Sequence, residues 1–455
     1  MTLTEIKSLL ARHDTAPSKS LGQNFLFDQN LARWTVDQLE IQPGDHVVEI
    51  GPGLGSLTDL LAERATTLTL IEKDDRLIPH LRARYCSPTI HRSPVTNHRS
   101  QITLHHTDAV TFDTRQLLGR GPLKIIGNLP YYVSTPILDR FADPLLGPTR
   151  LVFTLQRELA DRLNARPRTK AYGAMTVSMG RRWRIQSLRN LPPSVFHPAP
   201  KVDSSVILIT PRPTTELPIC DGEIFERLIR SGFSERRKQL HRHLGEYRSR
   251  WPAAAAHLGV AETIRAEELS IPQWIELARF LAPAVAQRGD EDFDVVDHND
   301  TVIDTRHRDE VHARDLRHRA THILVFNAAG ELLLQKRSPW KDKSPGLWDS
   351  STAGHVDAGE TYEQAAHREL QEEIGIEVPT LTPLFKLGCS AETGHEFLQI
   401  YRATHEGPFL TCPKELEGAA FFSMSHVEEW LRNTPADFSP VFRLVFPRLV
   451  TSARA

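Results

Sequence analysis

Val47-Val48-Glu49-Ile50-Gly51-Pro52-Gly53-Leu54-Gly55-Ser56-Leu57-Thr58 is the stretch on which the fold turns. A buried strand, Val47–Ile50, runs straight into three glycines at alternate positions, and the segment then opens a helix. Leu68–Ile71 reads as a second strand and ends on Glu72-Lys73-Asp74. Ile102–Leu104 is a third apolar stretch, followed by Asp108. Leu123–Ile126 is a fourth, ending in Gly127-Asn128-Leu129-Pro130-Tyr131-Tyr132. Strand, glycine turn, helix, strand and acid in this order predict a Rossmann-like α/β nucleotide-binding half-fold.

With 455 residues the chain is long enough for two to four domains, each burying its own core. Cys86, Cys220, Cys389 and Cys412 form no CxxC pair, which excludes a zinc ribbon and a disulfide framework. No apolar run is long enough to span a membrane and no signal-peptide core opens the chain, so the cytoplasm is the expected compartment. The net charge of -2 hides a division. Residues 1–285 carry 37 Lys and Arg against 29 Asp and Glu, whereas the remainder carries 18 against 28. A basic part fused to an acidic part implies different partners, and the basic part fits a polyanion such as nucleic acid.

The glycine turn departs from the GxGxxG of dinucleotide sites. Glu49-x-Gly51-x-Gly53-x-Gly55 is the form used for S-adenosylmethionine, whose sulfonium carries no phosphate that needs a helix N-terminus. Glu72 lies 21 residues after Gly51, where a carboxylate takes ribose hydroxyls, and Asp108 stands where it can meet an adenine amino group. The turn at Asn128 adds a second chemistry. The exocyclic amine of adenine is a poor nucleophile because its lone pair is delocalised into the ring. An Asn oxygen and a main-chain carbonyl next to Pro130 can accept both amine hydrogens and draw the nitrogen toward a tetrahedral shape. An aromatic ring beside them stacks on the extruded base.

Further motifs follow in order. Residues 1–17 read as an N-terminal helix or arm. Lys19-Ser20-Leu21-Gly22-Gln23-Asn24-Phe25-Leu26 precedes a helical pattern through Ile41, and 86–100 reads as an inserted surface loop. Phe196-His197-Pro198-Ala199-Pro200-Lys201-Val202-Asp203-Ser204-Ser205 is a stiff loop entering the strand Val206–Ile209. Pro211–Pro218 reads as a linker. Phe225–Leu244 and Leu258–Leu281 read as amphipathic helices, the first carrying Phe233-Ser234-Glu235-Arg236-Arg237-Lys238-Gln239-Leu240 as a basic face. Through these motifs, with Gly127–Leu138 and the glycine turn, residues 19–245 resemble the small-subunit ribosomal RNA adenine N6-dimethyltransferases. The resemblance implies dimethylation of two adjacent adenosines near the 3′ end of that RNA, with S-adenosylmethionine as methyl donor. By motif position, Asn24, Leu26, Gly51, Gly53, Glu72, Asp108 and Asn128 would line the cofactor pocket. Asn128 and Tyr131 would hold the target base, with Phe196 closing its other face. Lys and Arg of 150–250, 20 against nine acids, would contact RNA phosphates.

In the acidic part, 293–297 and 302–303 read as a hairpin. The basic, His-rich stretch Arg306–Arg319 lacks regular ligand spacing and reads as a solvated arm. Gly354-x5-Glu360-x7-Arg368-Glu369-Leu370-x-Glu372-Glu373-x-Gly375-Ile376 is more informative. A helix puts Glu369, Glu372 and Glu373 on one face, and three like charges there call for a divalent cation, Mg²⁺ or Mn²⁺. Such a cation would stabilise charge on a diphosphate and activate water. Glu396 is a further candidate ligand or base. These residues fill every fixed position of the Nudix box, and 293–450 resembles the isopentenyl-diphosphate isomerase-like Nudix proteins. The isomerases carry a catalytic Cys just before the Gly-His pair. Ala353 occupies that place here, so hydrolysis of a small diphosphate is expected.

The expected organisation is therefore a Rossmann-like methyltransferase domain over 1–210 and a small helical RNA-binding domain over 211–285. A linker over 286–292 leads to an α/β/α Nudix domain over 293–455. Expected partners are small-subunit ribosomal RNA, the assembling small subunit and a diphosphate, with no membrane. Three other readings use the same residues. One is a large-subunit rRNA adenine methyltransferase of the erythromycin-resistance type. Another is a ribosome-assembly binding factor whose methylation is incidental. In the third the main activity is Nudix hydrolysis and the methyltransferase fold docks RNA.

Overall fold

The structure is a computed structural model and describes residues 1–12, 16–18, 21–86, 100–216, 220–282, 291–341, 343–412 and 415–454. Lys19 and Ser20, most of the expected insertion (87–99), the end of the 211–218 linker and 286–290 lie outside the described residues. The chain divides into two compact units, Met1–Pro218 with Phe225–Leu277, and Ile219–Ile224 with Ala278–Ala455.

In the first unit the strands are β1 (Phe25–Leu26), β2 (His46–Ile50), β3 (Thr67–Glu72), β4 (Gln101–His106), β5 (Leu123–Asn128), β6 (Arg150–Gln156), β7 (Trp183–Leu191), β8 (Phe196–His197) and β9 (Ser204–Pro211). Seven of them form one sheet in the order β4-β3-β2-β5-β6-β9-β7. β2 to β6 pair in parallel, and β9 and β7 join antiparallel. The helices are α1 (Leu3–Arg12), α2 (Gln29–Asp37), α3 (Thr58–Ala62), α4 (Ile78–Tyr85), α5 (Ser134–Phe141), α6 (Arg157–Leu163) and α7 (Ala174–Arg182). Alternation along the strands builds two cores. Val47, Leu68, Leu70 and Ile126 pack with α1 to α4, and Val48, Ile71, Ile125 and Phe153 pack with α5 to α7. The chain leaves β2 for β3 on one side and returns to β5 on the other. A crevice therefore opens at the carboxyl ends of these strands.

Beyond β9 the two long amphipathic helices expected from the sequence are each interrupted. α8 (Gly222–Gly232) ends at Gly232, where only a glycine fits, since a Cβ there would come within 2.6 Å of Trp274 and 2.9 Å of Leu240. Phe233 instead stacks on Trp274 at 5.6 Å, and the basic segment after it is turn rather than helix. Within that turn Arg236 folds inward, donating to the carbonyls of Lys170 and Tyr172 and pairing with Glu267. α9 (Trp251–Leu258) ends on Gly259 in the left-handed region, and α10 (Ile271–Leu281) begins twelve residues later. β7, which the sequence reading did not pick out, is a polar edge strand with few apolar residues to mark it.

The second unit holds β10 (Asp292–Val296), β11 (Val302–His307), β12 (His318–Phe326), β13 (Leu332–Arg337), β14 (Trp348–Asp349), β15 (Thr352–His355), β16 (Thr382–Leu387), β17 (Glu396–Thr404) and β18 (Leu416–Phe422). β10 and β11 form a hairpin, and the others make one mixed sheet in which β12 and β17 run parallel. Helices α11 (Arg308–Ala313), α12 (Tyr362–Ile374), α13 (Met424–Asn433) and α14 (Pro440–Arg454) complete it. α12 buries Ala366, Leu370 and Ile374 against Ile323, Val325 and Tyr401. A reciprocal cap between Thr361 and Gln364 starts α12. Gly375 stops it at φ 66°, with its N–H donating to the Gln371 carbonyl. Among the described residues no helix is long and apolar enough to cross a membrane.

Gly375→Ala is expected to cost about 1–2 kcal/mol, since a side chain is strained at this φ and its Cβ would also meet Leu410 at 2.9 Å. Urea denaturation should lower the midpoint of the second unit only. An unchanged midpoint would mean that this cap does not hold the end of α12.

Candidate functional site

The carboxyl ends of β2, β3, β4 and β5 surround a cavity of about 900 Å³, counting its part open to solvent. Asn24, Leu26, Gly51, Gly53, Glu72, Asp108 and Asn128 all line it, so the residues expected at the cofactor face one space. Glu72 anchors the floor. It is 6% exposed; its Oε2 accepts the Gly53 N–H at 3.0 Å and its Oε1 the Asp74 N–H at 2.8 Å. Gly53 has φ 58°, and a Cβ there would strike the Phe25 ring at 2.9 Å. Burial pushes the Glu72 pKa up in spite of those bonds. Glu49 also lines the cavity, fully buried beneath Thr58 Oγ1 at 2.7 Å, and burial pushes its pKa up to about 8.

Three carboxylates and one cation, Lys73, line the cavity among the described residues. Lys73 pairs with Asp108 at 2.7 Å, so no free basic group stands ready for a phosphate. The remaining lone pairs of Glu72 can accept hydroxyls, and with the one lining cation among the described residues paired to Asp108, no unpaired positive charge opposes a cationic ligand. These donors and acceptors fit S-adenosylmethionine.

Asn128 donates from Nδ2 to the main-chain carbonyl of Asn24 at 2.7 Å. Since only the amide nitrogen can donate to a carbonyl, this contact fixes the side-chain orientation and leaves Oδ1 as an acceptor. The other two residues expected at the target base lie outside the cavity lining. The Tyr131 hydroxyl meets Ser204 Oγ at 2.6 Å. Phe196, 3% exposed, is paired in β8 with Leu26 of β1. Tyr132 lines the cavity instead and is 56% exposed; the Tyr-Tyr doublet was the signal available in the sequence.

In the second unit α12 carries the acidic cluster. Glu373 is buried and accepts the Ala353 N–H at 3.1 Å; Glu369 is nearly buried, whereas Glu372 is largely exposed. Gly354 makes room for Glu369, since a Cβ there would lie 2.0 Å from its carboxyl group. Arg368 spans the cluster, reaching Glu360 at 3.0 Å, Glu369 at 2.6 Å and Glu372 at 3.3 Å, and donating to the His355 carbonyl at 2.9 Å. Burial raises the pKa of both Glu369 and Glu373, with repulsion from Glu373 adding to it at Glu369 and from Asp349 at Glu373. A buried carboxylate pair of this kind fits a divalent cation.

The His-rich stretch is not a solvated arm. Its residues enter β11, α11 and β12, and His318 is 1% exposed. Ligand atoms of His312, His318 and His355 all lie within 4.8 Å of one another, around the Phe293 ring. Glu396 Oε1 is 3.5 Å from His318 Nε2 and 3.3 Å from His355 Nε2. Burial would raise the Glu396 pKa, but the two imidazoles outweigh it and hold the carboxylate well below its ordinary range. His318 Nδ1 meets the Leu316 carbonyl at 2.8 Å, so that nitrogen donates there and Nε2 is the atom turned toward Glu396 and the other imidazoles. That Nε2 is buried without a hydrogen-bond partner among the described residues. Sheet register makes the cluster: His318 stands beside Glu396, and His355 opposite Ala320. The sequence scatters these residues over 85 positions, so ligand spacing could not reveal them.

A doubly flanked parallel sheet with an acid-lined cavity at its switch point defines a Rossmann-like methyltransferase fold in the first unit. Residues 16–283 match the ribosomal RNA adenine dimethylase family, and the chain belongs to it. Residues 316–442 match the NUDIX domain. The chain is 37% identical over 266 residues to ribosomal RNA small subunit methyltransferase A of Aromatoleum aromaticum, covering 58% of this chain and 94% of that protein. Among solved structures, a dimethyladenosine transferase from Plasmodium falciparum is 21% identical with a TM-score of 0.47, over 56% of this chain and 95% of that one. DR0079 from Deinococcus radiodurans is 26% identical with a TM-score of 0.32, over 35% of this chain and 98% of that one.

Glu49 gives the first site a pH signature. Between the ordinary carboxylate value of 4.5 and about 8 the folded chain holds a proton that the unfolded chain has released. Stability therefore falls as pH rises through that window and is flat below it. Glu49→Gln should remove the Glu49 share of this slope, which Glu72, Glu369 and Glu373 also steepen, gaining about 1–3 kcal/mol on the parent at pH 8 relative to pH 4. Urea melts of both proteins across that range give the comparison, and a difference independent of pH would mean that Glu49 is ionised in the folded chain.

Proposed function

We propose that the first unit dimethylates N6 of two adjacent adenosines near the 3′ end of small-subunit (16S) ribosomal RNA, in the cytoplasm and as part of small-subunit biogenesis. The observation that carries this reading is the shared cavity, in which the adenosyl-binding acids and Asn128 face one space. The relative named for the small subunit favours that RNA over the large-subunit alternative.

S-adenosylmethionine, when bound, supplies a methyl group already activated by its positive sulfur, so no strong base is needed. Glu72 holds the ribose hydroxyls and Asp108 the adenine amino group, above the floor that Gly51 and Gly53 leave open; Asn24 and Leu26 close the arm over it. Asn128 Oδ1 and the carbonyl preceding Pro130 accept the two hydrogens of the target amine. The carbonyl of Pro130 itself is already taken by Val133 and Ser134. Tyr131 and Phe196, outside the cavity lining, would meet the base only once it is flipped in, with Tyr132 lining the cavity beside them, and catalysis is alignment together with exclusion of water. Exposed arginines such as Arg237 supply salt-sensitive affinity for RNA phosphates.

For the second unit the reading is hydrolysis of a small diphosphate. Ala353 stands where an isomerase of the resembling group has its Cys, and Glu369, Glu372 and Glu373 would hold Mg²⁺ or Mn²⁺. The three imidazoles with Glu396 favour a second cation site of transition-metal character, because buried neutral nitrogens are softer donors than the carboxylates of α12.

Asn128→Ala is expected to lose methyl transfer by at least about a thousandfold while cofactor binding weakens but persists. Mapping labelled methyl groups on small-subunit RNA tests both substrate and residue; label elsewhere, or near-normal turnover in the variant, would overturn the assignment. Equilibrium dialysis with Mn²⁺ separates the two cation sites. His355→Ala should lose one bound equivalent, whereas Glu373→Gln keeps that equivalent and loses diphosphate hydrolysis. Equal metal binding by parent and His355→Ala would remove the imidazole site.

A further inference from the structure

Asp108 is not free in the cavity. Its Oδ1 accepts the Val110 N–H at 2.9 Å and its Oδ2 the Lys73 ammonium at 2.7 Å. Both side chains line the same space, 49% and 30% exposed. The neighbouring carboxylate, Asp74, offers Lys73 no alternative, because Arg76 and Gln23 occupy it at 2.6 and 2.7 Å. Lys73 thus rests on Asp108, beside the exposed ring of Tyr132.

We propose that Lys73 is a specificity-determining residue of the cofactor cavity, its ammonium competing with the cofactor's adenine amino group for the Asp108 carboxylate. The proposal rests on the reading that places this amino group at Asp108. An amino group at the purine 6-position donates to Asp108 and must displace or share with Lys73. A 6-oxo group at the same place accepts, so Lys73 can hold it while Asp108 repels it. The ion pair therefore narrows the discrimination that Asp108 alone would make. A solvent-exposed pair is weak, which lets a neutral donor compete with it and makes the competition sensitive to salt.

Calorimetric titration of the full chain with S-adenosylhomocysteine and S-inosylhomocysteine tests the inference. Lys73→Met is expected to bind the adenosyl ligand about two- to fivefold more tightly and the inosyl ligand no more tightly. Raising KCl from about 50 to about 500 mM should tighten adenosyl binding to the parent and leave the variant unmoved. Weaker adenosyl binding by Lys73→Met, or equal change for both ligands, would overturn the proposal. Asp108→Asn reports on the underlying reading separately. If it keeps the parent's adenosyl-to-inosyl ratio, the amino group does not sit at Asp108. If that ratio collapses while Lys73→Met leaves both affinities unchanged, the placement stands and the role of Lys73 falls.

Discussion

The first unit depends on a buried carboxyl group held by main-chain amides. A carboxylate that is 6% exposed would be expelled from the interior or neutralised without compensation. Two N–H groups offset part of that cost for Glu72, although burial still raises its pKa, and one of them, from Gly53, comes from a chain in the left-handed conformation. That single requirement explains why the turn is built of glycine and why the next strand ends on an acid. It also explains why the arm residue Phe25 can lie flat against the turn. Parallel pairing of β2 with β3 and β5 then brings Glu72, Asp108 and Asn128 to one end of the sheet.

The second unit meets the same difficulty with a different remedy. Glu369 and Glu373 are crowded on one turn of α12, and Arg368 offsets part of their charge. Glu396 is offset by imidazoles instead of amides. Arginine stays charged at any relevant pH, so it steadies the box permanently. Imidazoles are neutral ligands when a metal is near, and the buried Nε2 of His318 makes no hydrogen bond among the described residues.

What could be read from the chain alone follows from range. Strands announced by short, mostly apolar runs, such as Val47–Ile50 and Leu123–Ile126, were legible, as was the helix that puts Glu369, Glu372 and Glu373 on one face; its cap at Thr361 and stop at Gly375 emerged only from the structure. Periodicity failed in the helical part: the apolar pattern runs on past Gly232, whereas the chain turns there and Phe233 stacks on Trp274. β7 was hidden because an edge strand with polar neighbours needs no apolar face. Glu72, Asp108 and Asn128 were legible because they follow successive strands in a fixed order, whereas Asn24 and Leu26 were named only through the family resemblance. The imidazole cluster was not, since β12, β15 and β17 bring its members together only after the sheet is paired.

The contact between Asn128 and Asn24 joins the two halves of the proposed chemistry. The arm that carries Asn24 and Leu26 is fixed at both ends, by Gln23 on Asp74 and by β1 pairing with β8. Its carbonyl decides which way the Asn128 amide faces, so an arm out of place would leave the amide free to rotate and present N–H where an acceptor is needed. On the proposed reading, the segment that closes over the methyl donor is thus also the one that orients the acceptor for the target amine. β8 extends the coupling, because the strand paired to the arm carries Phe196. Because the protein's own contacts hold the arm, they orient the amide and seat the aromatic residue together, so on this reading the acceptor for the target amine is set by the fold before donor or RNA arrives.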